Sequence, residues 1–240
     1  MTKLTWDKIG ERLYETGVDH GVLYTMDSTG KYNEGVAWNG LTSVTEKPDG
    51  AEETSLYADN IKYLSLYSEE VMKGTIEAYT YPDEFAACDG SASLAEGVVV
   101  GQQTRKGFGL AYRSKIGNDT EQQDHGYKLH ILYNAKVSPS ERSYETVNDK
   151  PDAISLSWDF TTTPVEVTPD LKPSSLITID STKVDAAKLK TLEEKLFGDS
   201  DDGEATLPSP AEVIAMFQTA ASEKAQITNY LEALSCIRRL

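Results

Sequence analysis

The stretch "SLYADNIKYLSLYSEEVMKGTIEAYTYP" (residues 55–82) decides how the chain is read. It alternates as β-strands do: Ile61, Tyr63 and Tyr67 fall on one face, Leu64 and Leu66 on the other. A half-solvated antiparallel sheet has one clearly polar face. Here both faces carry large apolar side chains, so each needs something to pack against. Further along, Ile76 and Ala78 alternate with Thr75, Glu77 and Tyr79, which separates a core side from an outward side.

Working outward, the neighbouring segments also read as strands. "GVLYTM" (21–26) is short, and "GVAWNGLTSVTE" (35–46) is interrupted by Asn39-Gly40, a turn or bulge signal. "KPDGAEET" (47–54) reads as a charged loop around a Pro-Asp-Gly turn. "PDEFAACDG" (82–90) predicts a short helix. Pro82 suits its first turn, Asp83 and Glu84 its positive end, and Gly90 its stop. Residues 106–115 and 127–137 form a predicted hairpin pair joined by a long loop, 116–126. "DAISLSWDFTTTP" (152–164) is the cleanest strand. Ile154, Leu156, Trp158 and Phe160 point one way, and Ser155, Ser157 and Asp159 the other. A linker with Pro164, Pro169 and Pro173 leads to a last strand, "SSLITIDS" (174–181).

After Asp180 the periodicity becomes helical. "KVDAAKLKTLEEKLFG" (183–198) puts Val184, Leu189, Leu192 and Leu196 near one stripe, with Gly198 as its stop. An acidic loop follows. "SPAEVIAMFQTA" (209–220) then has Ser209 as N-cap, Pro210 at N1 and Glu212 at N3. Ile227, Tyr230, Leu231, Leu234 and Ile237 repeat at helical spacing in the tail. The predicted fold class is mainly β (α+β): packed antiparallel sheets of some seven to nine strands, a flanking helix and a helical C-terminal segment. The predicted organisation is an arm over 1–20, a β-sandwich or barrel core over 21–180 and the helical segment over 181–240.

Composition narrows the function. The 240 residues carry a net charge of −16, which disfavours tight binding to a phosphate backbone or an anionic lipid surface. There are 13 Tyr against 5 Phe, and a ring with a polar tip suits half-buried strands and interfaces. Cys88 and Cys236 show no metal or redox spacing and read as free thiols of a reducing compartment. The first residues lack the apolar run and cleavage site of a signal peptide, and no apolar run is long enough to span a bilayer.

The search for chemistry yields no catalytic, metal or cofactor residue. Walker A, HExxH and GxSxG are missing from the sequence. "GFGLAY" (107–112) begins like a dinucleotide fingerprint but has Tyr112 at the third glycine position and lies in a strand pattern. His20, His125 and His130 read as loop or surface imidazoles, because no partner for a metal or a Ser/His pair stands out. Asp199, Asp201 and Asp202 crowd an acidic turn, but counting from Asp199 the glycine of an EF-hand loop is replaced by Glu204. Asp83 and Glu84 are explained by helix polarity rather than by glycoside chemistry.

Six longer blocks are distinctive: "GERLYETGVDHGVLY" (10–24), "GVAWNGLTSV" (35–44), "GAEETSLYADNIKYL" (50–64), "GTIEAYTYPDEFAACDGS" (74–91), "IGNDTEQQDHGYKLHILYNAKVSPSERSYETVND" (116–149) and "ITIDSTKVDAAKLKTLEEKLFG" (177–198). Together they resemble the major tail proteins, or tail tube proteins, of long-tailed, non-contractile bacteriophages. The resemblance implies a structural virion protein, assembled in the host bacterial cytoplasm. Hexameric rings would stack into a tube that conducts viral DNA during ejection without binding it specifically. The implied partners are further copies of the chain, a tape measure protein, and tail terminator and distal tail proteins at the ends; no membrane and no cofactor enter. On this reading Thr75, Glu77, Tyr79, Ser155, Ser157 and Asp159 face the lumen or a neighbour. Loop residues Lys47, Pro48, Asp49, Gly50, Glu52, Glu53, Asn118, Asp119, Glu121 and Asp124 become inter-ring contacts. The resemblance leaves residues 219–240 without a role.

Two other readings compete. A carbohydrate- or receptor-binding β-sandwich of the virion requires exposed Trp in loops, whereas Trp38 and Trp158 fall in predicted strands and only Trp6 in the arm. A hydrolase requires carboxylates gathered in a cleft.

Overall fold

A computed structural model of the chain describes residues 4–144, 146, 153–169, 171–199 and 203–218. The protein is mainly β, with antiparallel pairing throughout the described residues. The strands are β1 (Tyr14–Met26), β2 (Tyr32–Ala37), β3 (Leu41–Asp49), β4 (Glu53–Ala58), β5 (Ile61–Tyr67), β6 (Val71–Ala78), β7 (Ala92–Ala95), β8 (Val98–Val100), β9 (Phe108–Asn118), β10 (Gln122–Val137), β11 (Leu156–Thr162) and β12 (Leu176–Asp180). The helices are α1 (Ala86–Asp89), preceded by a 3-10 turn (Asp83–Phe85), α2 (Ala186–Phe197) and α3 (Pro210–Phe217).

Eight strands form one sheet in the order β2-β1-β9-β10-β11-β6-β3, with β12 also paired to β10. Strand β10 is long enough to hold two partners on one edge, β12 along residues 128–132 and β11 along residues 135–137. Beyond that point the sheet folds back on itself. Leu23, Leu110 and Leu132 of β1, β9 and β10 share a core with Ile76, Ala78, Trp158 and Phe160 of β6 and β11. Phe85, from the 3-10 turn, plugs this core. Its ring centroid lies 4.6 Å from that of Trp38, 5.2 Å from Trp158 and 5.6 Å from Phe108. These tilted and edge-on pairings are the arrangements aromatic rings prefer.

The opposite face of β1, β9, β10 and β12 is covered by α2 and α3. Leu189, Leu192, Leu196 and Val213 pack there on Tyr24, Ala111, Leu129, Ile131, Tyr133 and Ile179. The tyrosines place their rings in the core and their tips on the helical layer. Tyr24 Oη donates to Leu196 O at 2.5 Å, Tyr133 Oη to Pro208 O at 3.0 Å and Tyr127 Oη to Glu193 Oε1 at 2.7 Å. Burial pushes the Tyr24 and Tyr133 phenols well above their ordinary value, so they stay neutral donors.

Most predicted elements are present, with shifted edges. Strand β1 begins at Tyr14, inside the segment read as an arm, because residues 14–16 pair with residues 115–117 of β9. The predicted loop 116–126 contracts to a turn at residues 119–121, since β9 runs to Asn118 and β10 starts at Gln122. The predicted loop 47–54 shrinks to residues 50–52: Lys47, Pro48 and Asp49 continue β3 against β6, and Glu53 opens β4. Asn39 and Gly40 do form the turn, which passes the chain from β2, paired to β1, to β3, paired to β6. Pro82 sits at the N-cap of the 3-10 turn, one position before the first turn, and Gly90 ends α1 at φ 83°. Ser209 and Glu212 form the full capping box of α3. The tail spacing from Ile227 to Ile237, and Asp201 and Asp202 of the acidic turn, lie outside the described residues.

Candidate assembly surface

Three projections leave the sheet with apolar side chains uncovered. The first is the hairpin β4–β5, inserted between β3 and β6. The ladder between β3 and β6 runs up to Asp49↔Val71, so the hairpin rises from a fixed base. Gly50 makes that base possible: it sits at φ 98°, and a Cβ there would come within 2.3 Å of Glu69 O. On the hairpin, Leu56 lies opposite Leu64 and Thr54 opposite Leu66. Leu56, Tyr57, Ile61, Tyr63, Leu64, Leu66 and Tyr67 are all exposed, from 42% to 73%. The hairpin is held on itself by Glu53, which accepts from Lys62 Nζ, from Ser65 Oγ at 2.6 Å and from Ser55 Oγ at 3.1 Å. It forms a separate two-stranded sheet.

The second projection is the hairpin β7–β8, where Leu94, Val98, Val99 and Val100 are exposed. The third is the N-terminal arm, whose Leu4, Trp6, Ile9 and Leu13 are exposed. The arm is fastened at Gly10: its N–H donates to Asp119 Oδ1 at 2.9 Å, and Asn118 Nδ2 donates to Gly10 O at 3.4 Å. Asn118 is therefore no loop-tip contact. It is buried, and its Oδ1 accepts from Glu121 N and Thr120 N to close the β9–β10 turn. Glu121 instead holds His125, Oε2 to Nδ1 at 2.6 Å. Asp124 is exposed beside them, its N–H donating to Glu121 O.

The candidate residues of the outward strand faces come together as one polar surface. Register pairs Thr75 with Asp159 and Glu77 with Ser157, while Ser43 and Thr45 of β3 flank them from the other side. Thr75 Oγ1 donates to Asp159 Oδ1 at 2.7 Å, and Ser43 Oγ to Glu77 Oε2 at 3.1 Å. Tyr79 and Ser155 lie just beyond the ends of β6 and β11, both exposed. Lys47 and Lys73 continue the same face, and Lys73 pairs with Asp49. Ile76 and Ala78 point into the core, and so do Trp158 and Phe160. Ile154, assigned inward from the alternation, is exposed because it precedes β11 and has no strand to hold it over the core.

One cluster escaped the sequence. Between β1 and β3 lies a seam with a cleft of about 270 Å³, lined by Glu15, Val18, Val44, Glu46, Tyr112 and His130, among others. On its floor His130 Nε2 lies 2.9 Å from Ser114 Oγ, and its Nδ1 lies 3.0 Å from Glu46 Oε1. His130 is thus not a surface imidazole, and it does have a serine and a carboxylate as partners. The order is that of a nucleophile, base and orienting acid. The setting is different. Ser114 sits mid-strand in β9, not at a strand end where oxyanion donors converge. The Tyr112 ring is stacked on the imidazole, and its hydroxyl donates to the same Glu46 carboxylate. The groups satisfy one another and tie β3 to β9 and β10 across the seam. Spacing along the chain carries no trace of this cluster, because Glu46 and His130 meet only when the sheet folds over. Elsewhere Cys88 is buried, and burial pushes its thiol up to about 12, the setting of a packed structural cysteine. Among the described residues no group of three or more His, Cys, Asp or Glu could hold a metal ion, and no helix is long and apolar enough to cross a membrane.

No protein-family model matches the chain, and no curated protein matches it.

Proposed function

We propose that the chain is the structural subunit of a bacteriophage tail tube, in which hexameric rings stack into a conduit for viral DNA. The observation that carries the reading is the β4–β5 hairpin, apolar on both faces and left exposed by the described residues of its own chain. An isolated two-stranded hairpin is at best marginally stable in water. Contiguous exposed apolar surface of this kind marks a protein contact. The hairpin, β7–β8 and the arm would cover one another's apolar faces on neighbouring copies. The polar face around Thr75, Glu77, Ser157 and Asp159 would then turn to the lumen or to a neighbour. A lumen lined by Glu77 and Asp159 would let DNA slide, because carboxylates repel phosphates rather than hold them, and Lys73 of the same face is paired with Asp49. The wall would belong to a ring carrying six times the −16 of one chain. The implied end partners, a tape measure protein and terminator and distal tail proteins, belong to the same proposal.

Negative-stain microscopy of the purified chain tests it: hollow tubes or six-fold rings are expected, and a stable monomer at high concentration overturns it. A sugar-binding module is less well supported. Trp38 and Trp158 are buried at 4% and 1% exposure, leaving only Trp6 of the three tryptophans in the open.

A further inference from the structure

The turn at Asn39 and Gly40, which hands the chain from β2 to β3, places a side-chain amide next to an unhindered backbone nitrogen. Asn39 is exposed. Among the described residues no hydrogen bond holds its amide or the Gly40 N–H. The fold demands glycine after it. Gly40 sits at φ 76°, and a Cβ there would come within 2.8 Å of Thr80 Cγ2. The nitrogen beside Asn39 therefore carries no side chain to shield it. The other described asparagines differ. Asn33 Nδ2 donates to Thr25 Oγ1 at 2.9 Å and Asn134 Nδ2 to Thr163 O at 3.2 Å. Asn118 is buried, and its Oδ1 accepts from Glu121 N. Asn60 is exposed, but Ile61 follows it.

We propose that Asn39 is a site of spontaneous deamidation in the folded chain, and that the product loosens the turn between β2 and β3. Gly40 N loses its proton and attacks Asn39 Cγ. The N–Cγ bond forms, and the side-chain nitrogen takes up a proton and leaves as ammonia. Water then opens the five-membered imide. Attack at Cγ leaves an aspartyl residue at position 39, and attack at the backbone carbonyl leaves an isoaspartyl residue. No electrons are exchanged, and water is the only co-reactant. Either product adds one carboxylate. The isoaspartyl form also adds a methylene to the backbone of a turn that is fixed on both sides. Tyr79 N donates to Gly40 O at 2.9 Å, and Trp38 Nε1 donates to Thr80 O at 3.0 Å. A longer turn cannot keep Gly40 against Thr80 and Tyr79. The inference does not rest on the tail tube reading.

The test incubates the full, folded chain at several pH values and follows each asparagine by peptide mass spectrometry, where conversion adds about 1 Da. Asn39 should convert roughly tenfold or more ahead of Asn60, because a branched side chain stands beside the nitrogen that would attack Asn60. The rate should rise roughly tenfold per pH unit near neutrality, because the attacking nitrogen must first lose its proton. Conversion of Asn39 only in urea, or no faster than that of Asn60, would overturn the proposal, and so would a flat pH profile. Amide exchange then reads the turn. Exchange at Tyr79 should quicken by roughly tenfold or more in the isoaspartyl fraction, and stay at the parent's rate in Asn39→Asp, which adds the charge without the methylene. Equal exchange in parent and isoaspartyl chains would overturn the loosening of the turn.

Discussion

His130 Nδ1 on β10 lies 3.0 Å from Glu46 Oε1 on β3, two strands that are far apart in the sheet order and meet only because the sheet folds over. That contact closes the seam and makes the closure sensitive to acid. The hydrogen bond from His130 holds the Glu46 carboxyl below its usual range. Partial burial opposes this, and Tyr112 reinforces it. A carboxylate with a depressed folded-state pKa stabilises the fold above its unfolded value. It loses that contribution as pH falls through the folded value. Glu46→Gln should therefore lower stability by ~1–3 kcal/mol at neutral pH, the cost of breaking a partly buried charged hydrogen bond. The difference from the parent should shrink in denaturant titrations carried down through pH 4 to ~3, below the ordinary carboxylate range. A difference that stays constant with pH would show that Glu46 acts through packing alone. Ser114→Ala should leave any hydrolysis of p-nitrophenyl acetate at background level, as expected of a structural tie.

Assembly should depend on the β4–β5 hairpin and stability should not. Removing residues 47–53 is a poor test, because Lys47 to Asp49 pair with Lys73 to Val71 and their loss would damage the sheet. Replacing Leu56 and Leu64 together by Ser leaves that ladder intact. The double variant should keep the parent's melting temperature to within a few degrees, since both side chains are already exposed. If the parent assembles into tubes as proposed, the variant should stay monomeric by light scattering under the same conditions. Tubes of normal yield from this variant would remove the hairpin from the interface.

Gly74 is the most constrained point of the outward-facing half of the sheet. A Cβ at this position would come within 2.1 Å of Thr45 O and 2.5 Å of Phe160 Cζ. Gly74→Ala must push β3 or the Phe160 ring away, and overpacking of this kind costs ~1–3 kcal/mol. Chemical denaturation should show that loss. The alternation of Ile76 and Ala78 with Thr75 and Glu77 marked β6 as a core strand, but it gave no hint that its neighbour crosses so closely.

What was legible and what was not divide along one line. Elements whose pattern is local could be read: the Ser209–Glu212 capping box, the α2 stripe of Leu189, Leu192 and Leu196, and the inward residues of β6 and β11. The apolar residues on both faces of residues 61–67 were read as a demand for partners, and the described residues of the chain leave them exposed. Contacts made by folding over were not legible. Asn118 looked like a loop tip because the sequence shows polar residues there, whereas its side chain closes a turn and clasps Gly10 over a hundred residues away. Loops 47–54 and 116–126 were read too long for a similar reason: charged residues on exposed strands read as loop when cross-strand pairing is not visible.

The polar face of β3, β6 and β11 yields the prediction closest to function. Glu77 and Asp159 supply its carboxylates, and Lys73 is drawn aside by Asp49. Replacing Glu77 and Asp159 by Lys removes two negative and adds two positive charges per subunit without touching the core, since both side chains are exposed. If this face lines the lumen, tubes should still assemble, and a ring would gain up to twelve new phosphate contacts with a steep salt dependence. DNA release from reconstituted particles should then slow at low salt and recover as salt is raised. Release at the parent's rate across the salt range, from tubes of normal appearance, would place this face against a neighbour rather than the DNA.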